Sequence, residues 1–236
     1  MSESDLKSIL KSNSYPGRGI VIGITPDNAN VAIAYFTMGR SVNSRNRIFV
    51  EDGEGIRNEA FDPSKMTDPS LIIYSPVRVI GDSTIVTNGD QTDTVFEYMQ
   101  SGKNFEDALK TRTFEPDPPN YTPRISGIID VACGKPSYKL SILKTVDGVP
   151  NVCRFFFDYA ETVVGKGHFI HTYRCDGDPI PSFSGDPVLV GINNDFEEFS
   201  AEIWEALNED NKVSLFARFI NVKDGSVKSK IFNKLK

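Results

Sequence analysis

The chain has 236 residues, 26 Lys and Arg against 32 Asp and Glu, a formal net charge of −6 and 39% hydrophobic residues. That length and composition fit a folded protein that buries a core without staples and exclude a disordered one, while net acidity argues against nonspecific nucleic-acid binding. No apolar run approaches the roughly 20 residues of a spanning helix, the acid-bearing opening MSESDLKSILKSNS does not read as a signal peptide, and Cys133, Cys153 and Cys175 are too few and too dispersed for a disulfide framework or a zinc site. The expectation is a cytoplasmic protein with free thiols and no membrane segment.

In chain order, residues 1–14 read as a loose lead or a short helix. YPGRGIVIGI then begins a strand and NVAIAYFT a second, with PDNAN as the turn between them. RNRIFV is a third strand. LIIYSPVRVIGDSTIVTNG reads as two strands joined at Gly81-Asp82-Ser83. In QTDTVFEYMQSG the period changes: Val95, Phe96 and Met99 lie three to four apart, with Thr92 or Asp93 as N-cap and Gly102 as stop. NFEDALKTRTF is a second helix ended by EPDPP. Strands return in RISGIIDVAC, SYKLSILKTV, VCRFFFDYA and GHFIHTYR, and the run Phe155-Phe156-Phe157 suits a strand buried on both faces. NDFEEFSAEIWEALNED carries an apolar stripe of Phe196, Phe199, Ile203, Trp204 and Leu207. VSLFARFINV and SVKSKIFNK form a final pair across Asp224-Gly225. This order suggests an α+β domain of two stacked sheets with helices outside, and no linker or repeat divides the chain.

Three stretches are candidates for chemistry. GRSVNSRNRIF carries Arg40, Arg45 and Arg47 in an acidic chain. If it is a strand, Arg45 and Arg47 share a face about 7 Å apart and converge on a phosphate; the alternative is a solvated edge strand. TNGDQTDT sits where a strand stops and a helix starts, a place where free N–H groups bind anions, with Asn88 and Gln91 able to read a carbonyl or ring nitrogen; the alternative is a capped turn. EPDPPNYTPRI is stiffened by its prolines and presents Glu115, Asp117 and Tyr121 ahead of Arg124; the alternative is a plain connector. His168 and His171 point to opposite faces of a strand, which argues against shared metal ligation. GKGH lacks the length and the Ser or Thr of a P-loop, and no GxSxG, HExxH or CxxC occurs.

YPGRGIVIG, GRSVNSRNR, VIGDSTIVTNGDQTD, NYTPRISGII and FIHTY occur between residues 15 and 173 in the order of the archaeal-type IMP cyclohydrolase family, which the chain resembles. The Asn-Gly-x-x-Thr-Asp of Asn88 to Asp93, followed by Thr-Pro-Arg at Thr122 to Arg124, is the most specific part. The resemblance implies a four-layer αββα sandwich like that of N-terminal-nucleophile hydrolases, without a released N-terminal nucleophile. It implies closure of the purine ring of 5-formamidoimidazole-4-carboxamide ribonucleotide to IMP with loss of water, needing no metal and no cofactor. Two departures stand out. Four residues rather than two separate Arg40-Ser41 from Asn46-Arg47, which leaves open whether Arg45 or Arg47 fills the family's arginine position. His171-Thr172-Tyr173-Arg174 stands where the family has Ser-Thr-Tyr-Glu. Residues 176–236 resemble the family poorly and read as a cap or an oligomer surface.

Ring closure requires the carboxamide nitrogen to attack the formyl carbon. The site must hold the two arms together, stabilise charge on oxygen, and move protons off nitrogen and onto oxygen. By the resemblance, Tyr74 is the proton donor or oxyanion partner, Glu115 orients the carboxamide or accepts its proton, and Arg47 polarises the formyl oxygen. Asn88, with Gly89 and Thr92 beside it, fixes the carboxamide, and Arg18, Arg45 and Arg124 hold phosphate and ribose. The partner is then a purine nucleotide, with no nucleic acid or membrane, and homo-oligomer formation is left open. Two rivals remain. One is a non-catalytic purine-nucleotide-binding protein on the same scaffold. The other is an amide hydrolase using Ser2 after loss of Met1.

Overall fold

A computed structural model describes residues 5–146 and 149–236. Asp5 caps helix α1 (Leu6–Ser12) by accepting from the Lys7 amide at 3.2 Å, and Leu6 and Leu10, one turn apart, are buried. The segment read as a loose lead or a short helix is thus a docked helix over these residues. Strands β1 (Arg18–Ile24) and β2 (Asn30–Met38) are buried almost throughout, as their β-branched and aromatic content favours. They are followed by a single turn of helix, α2 (Val42–Arg45), then β3 (Arg47–Asp52) and β4 (Gly55–Ala60). After a long loop come β5 (Val77–Ile80), β6 (Ser83–Thr87), α3 (Gln91–Gln100) and α4 (Phe105–Lys110). The chain continues through β7 (Arg124–Asp130), β8 (Ser137–Val146), β9 (Val149–Tyr159), β10 (Lys166–His171) and β11 (Val188–Gly191). It ends with α5 (Phe196–Ala206), β12 (Lys212–Asn221) and β13 (Val227–Asn233).

Two antiparallel sheets result. One runs β11-β10-β1-β2-β12-β13 and the other β3-β4-β5-β6-β7-β8-β9. Side-chain alternation splits each strand between two environments. Ile20, Ile22 and Ile24 of β1 meet Val86, Ile125 and Ile129 of the other sheet between the layers. Val21, Ala32 and Phe36 face the opposite way, against Leu10 of α1 and Phe199 and Ile203 of α5. On the far side, Ile85, Ile128 and Leu143 pack against Val95 of α3 and Phe105 and Leu109 of α4. The layers are therefore helices, sheet, sheet, helices. Among the described residues no helix is long and apolar enough to cross a membrane.

Several expectations change. The segment after residue 176 is not a cap: β12 pairs with β2 in the interior of its sheet, and Phe216 lies in the inter-sheet core. Arg45 is not on the strand with Arg47; it ends α2, and Asn46 breaks the helix before β3 starts. A capping box fixes this turn, Ser41 Oγ accepting from the Ser44 amide and Ser44 Oγ from the Ser41 amide, each at 3.0 Å. Leu71 to Tyr74 form no strand, because the amides of Ile72 and Ile73 both turn back to the Pro69 carbonyl (3.0 and 2.8 Å). Phe155 and Phe156 are exposed, since β9 is the outermost strand of its sheet. The N-cap of α3 is Asp90, earlier than Thr92 or Asp93, and α4 stops at Lys110, short of Phe114. β4 and β11 have no counterpart in the sequence reading. The final pair, β12 and β13, forms as expected.

Gly17 lies at the entrance to β1 with φ +79°, and a Cβ there would fall 2.2 Å from Thr172 Oγ1 and 2.5 Å from the Tyr173 ring. Only glycine fits both the backbone and the space. Gly17→Ala is expected to destabilise the fold by about 1–3 kcal/mol, read as a lower urea midpoint with unchanged slope; an unaltered midpoint would show that the turn relaxes freely.

Candidate active site

One end of the sandwich gathers the starts of β1, β3 and β7 and the ends of β2 and β6. There the inter-sheet space is lined by polar side chains instead of aliphatic ones. Arg18 continues the inward row of Ile20 and Ile22, Thr37 stands beside it on β2, and Arg47 continues the inward row of Phe49 on β3. All three are buried, Arg47 to 1% exposure. Its Nη2 donates to the Met38 carbonyl at 3.2 Å, but its Nε and Nη1 find no partner, nor do Arg18 Nε, Thr37 Oγ1 or either amide atom of Asn58 on β4. Burial holds the Arg47 guanidinium below the ordinary arginine value; the phenol of Tyr74 opposes this and Arg18 adds to it.

Acidic and phenolic groups close around these arginines. Glu115 Oε2 lies 3.5 Å from Arg18 Nη2. Burial pushes the Glu115 carboxyl up, and Arg18 and Arg124 pull it part of the way back. Its loop is rigid: the Glu115 amide donates to the Thr122 carbonyl at 2.9 Å, and Thr122 bonds Asp117 through both its amide (2.6 Å) and its hydroxyl (2.5 Å). The Thr122 hydroxyl also meets Tyr173 OH at 2.5 Å, and Tyr15 stacks on Tyr173 with ring centroids 5.7 Å apart. Across the space, the hydroxyls of Tyr35 and Tyr74 are 2.8 Å apart. Burial first, and then Tyr74, raise the Tyr35 phenol well above its usual value.

The structure brings Arg18, Arg47, Tyr74 and Glu115 together and separates others from them. Arg45 is exposed and holds Gly39 O (2.9 Å) and Asn211 Oδ1 (3.0 Å); of the two arginines left open by the sequence, Arg47 is the inward one. Arg40 reaches Asp176 (2.5 Å) and covers the Tyr15 ring at 5.1 Å. Arg124 lies on the helix-facing side, bound to Asp90 (2.7 Å) and Gln91 Oε1 (2.5 Å). Asn88 is wholly engaged: Oδ1 accepts from the Ile125 amide (2.8 Å) and Gln91 Nε2 (3.0 Å), and Nδ2 donates to Pro123 O (2.9 Å) and Glu115 Oε1 (3.4 Å). Gly89 lets Arg124 approach, since a Cβ would fall 2.4 Å from its Nη1. Thr92 bonds Thr87 (2.7 Å) and Gly89 O (3.0 Å). The groups of the Asn-Gly turn thus bond one another, Glu115 and the start of β7.

Sequence reasoning passed over Tyr35, Asn58, Thr37 and Tyr173. The signal for the first three is a polar or phenolic residue at the inward parity of an otherwise apolar strand, visible only once the register is known. His168 bonds Tyr138 (2.7 Å) and His171 stacks on Phe169, on opposite faces of β10. Among the described residues no group of three or more His, Cys, Asp or Glu is placed to hold a metal ion. Cys153 and Cys175 are free thiols; Ser2 and the side chain of Cys133 lie outside the described residues.

A family model described as IMP cyclohydrolase-like protein matches residues 15–225. The IMP cyclohydrolase of Methanopyrus kandleri is 31% identical over 204 residues, which is 80% of this chain and 98% of that protein. The IMP cyclohydrolase of Methanococcus maripaludis strain S2 is 33% identical over 119 residues, 49% of this chain and 58% of that protein. That of Methanothrix thermoacetophila is 31% identical over 119 residues, 49% and 57% of the two chains.

Two unpartnered nitrogens on a buried cation cost stability. Arg47→Met, similar in length and apolar, is therefore expected to unfold at an equal or higher temperature than the parent in a calorimetric scan, while nucleotide binding is lost. A marked loss of stability would assign Arg47 a structural role instead.

Proposed function

The chain belongs to the IMP cyclohydrolase-like family, and from that premise we propose that it closes the purine ring of 5-formamidoimidazole-4-carboxamide ribonucleotide to give IMP and water. One observation carries this reading: buried, unpartnered donors of Arg18 and Arg47 stand beside a tyrosine pair and the Glu115 carboxylate, in a chain aligned with nearly all of an archaeal IMP cyclohydrolase. Such donors are what a polar, anionic substrate would complete. We read the layered sheets as of the N-terminal-nucleophile-hydrolase type without its nucleophile, residues 1–236 as one domain, and the protein as cytoplasmic.

In this mechanism the carboxamide nitrogen forms a bond to the formyl carbon, whose oxygen takes up charge and then leaves as water, carrying one proton given up by the carboxamide nitrogen and one given up by the formamide nitrogen as that nitrogen forms the new C=N bond of the ring. Arg47 aims its free N–H groups at that oxygen and stabilises the charge as it develops. Glu115, on a loop braced by Thr122 and Asp117, takes the proton from nitrogen. Tyr74 supplies a proton to the departing oxygen, and Tyr35, whose phenol burial keeps protonated, holds it in place. Arg18 serves twice: it tempers the Glu115 pKa and offers its free Nε to the nucleotide. Arg124 and Asn88 act through position, anchoring the loop that carries Glu115. Arg45, fixed to Asn211 at the surface, is left out of the pocket. The presence of both a base and a proton donor beside the arginines favours catalysis over simple nucleotide binding.

The direct test is conversion of the formamido nucleotide to IMP by purified protein, followed by absorbance. Tyr74→Phe and Glu115→Gln are each expected to lower kcat by about 100-fold or more; near-parental turnover in both would remove the acid–base assignment.

The pH profile gives a second test. Glu115 must be ionised to act as a base, so kcat/KM falls as pH drops through its pKa. Because burial raises that pKa above 4.5, the acid limb should sit above the ordinary glutamate range. Removing the opposing cation in Arg18→Met should move the limb to still higher pH. A limb that stays put in this variant, or that persists in Glu115→Gln, would show that another group titrates.

A further inference from the structure

We infer that Asn58 reads the carboxamide edge of the substrate and the matching edge of the product, through a reciprocal pair of amide hydrogen bonds; this rests on the ring-closure reading above. Asn58 follows Ile56 on β4 at the same parity, and Ile56 lies in the inter-sheet core, so Asn58 faces inward. Opposite it on β3 stands Phe49, whose ring stacks on Tyr35 at 5.6 Å. Arg47 is diagonal to it on the same face, and the backbone N–H of Asn58 donates to the Tyr74 carbonyl at 2.9 Å. It is thus flanked by the arginine and the tyrosine of the proposed reaction.

The side chain is 1% exposed, and neither Nδ2 nor Oδ1 has a partner. A buried amide with both ends unsatisfied is costly and uncommon. Asn88, the asparagine that the sequence pattern favours, spends both ends of its amide on protein groups. The free amide belongs to Asn58.

The chemistry of ring closure gives that amide a fitting partner. An asparagine offers one N–H and one carbonyl side by side, which pairs with a group presenting a carbonyl and an N–H on one edge. The substrate carboxamide has such an edge: its oxygen and the N–H cis to that oxygen. The proton lost on closure is the other one, trans to the oxygen, where the new bond to carbon forms. The cis edge survives unchanged as the 6-oxygen and N1–H of IMP. Asn58 can therefore hold the carboxamide in the ring plane from substrate to product, with its reacting side turned to the formyl arm. The pair is held throughout, so its loss shows mainly in affinity.

The test compares binding of IMP with binding of the monophosphate of unsubstituted purine riboside, which lacks the 6-oxygen and the N1 proton. A two-bond amide pair predicts that the parent protein prefers IMP by about 10- to 100-fold, and that Asn58→Leu and Asn58→Asp each shrink the preference to a few-fold. Asn58→Leu should melt no lower than the parent, because it removes two unpaired buried atoms. A preference kept in a folded variant overturns the inference, as would be expected if ordered water completes the amide. So does a parent protein that binds the two nucleotides alike, whether or not the variants fold. IMP formation by the parent is measured beside these. Its absence overturns the ring-closure reading and this inference with it, whereas turnover with an unchanged preference overturns the assignment of Asn58 alone.

Discussion

A buried cation has to be answered, and this requirement organises the polar end of the sandwich. Elsewhere the inter-sheet space is filled by isoleucines, valines and aromatic rings, which need only contact. At the polar end two buried arginines point into the same space, and desolvation of a guanidinium is expensive. Glu115 answers Arg18 in part, at 3.5 Å. Arg47 meets one backbone carbonyl and, from a distance, the tyrosine phenols. What stays unanswered in the protein is the part that a substrate would complete. The stability given up there is recovered in three apolar layers that hold the strands in register.

The groups of the Asn-Gly motif bond mainly to the protein itself. Asn88, Gly89, Gln91 and Thr92 form a closed set of hydrogen bonds at the junction of β6 and α3. Arg124 and Asp90 tie that junction to the start of β7, and Arg112 adds a second cation on Asp90 at 2.5 Å. The Asp90 carboxylate engages N–H groups of both arginines, and the trio keeps a net charge of +1. The motif reaches Glu115 through Asn88, and so bears on where the proposed base sits. A rigid support of this kind is what a base needs if its pKa and its aim are both to be held.

The arginine-rich segment shows the same division of labour. Ser41 and Ser44 cap one another, a single helical turn follows, and Asn46 ends it with its side chain donating to Asp62 O at 2.7 Å and accepting from the Asp62 amide at 2.8 Å. That turn rotates Arg45 outward to Asn211 and delivers Arg47 as the first residue of β3, pointing in. Had the strand begun two residues earlier, both arginines would share a face.

The sequence by itself determined most of the elements and the family. A 3.6-residue pattern marks α3 and α5 because one face of each is apolar, short apolar runs bounded by turn residues mark β1, β2, β6 and β7, which are buried on both faces, and the ordered motifs from residue 15 to 173 point to Tyr74 and Glu115 as candidates while leaving Arg45 and Arg47 as alternatives. Only the tertiary structure decided which polar groups meet. Asn88 and Asn58 are the same chemical group, and nothing local tells the engaged amide from the free one; the difference lies in strands and loops far apart in the chain. The same holds for Phe155 and Phe156, exposed because β9 is an edge, and for β12, an interior strand in a segment that the sequence reading took to resemble the family poorly but that the family match, running to residue 225, includes. Burial and hydrogen-bond satisfaction are properties of neighbours, and neighbours across a sheet are fixed by register and strand order, which a single strand's composition does not encode.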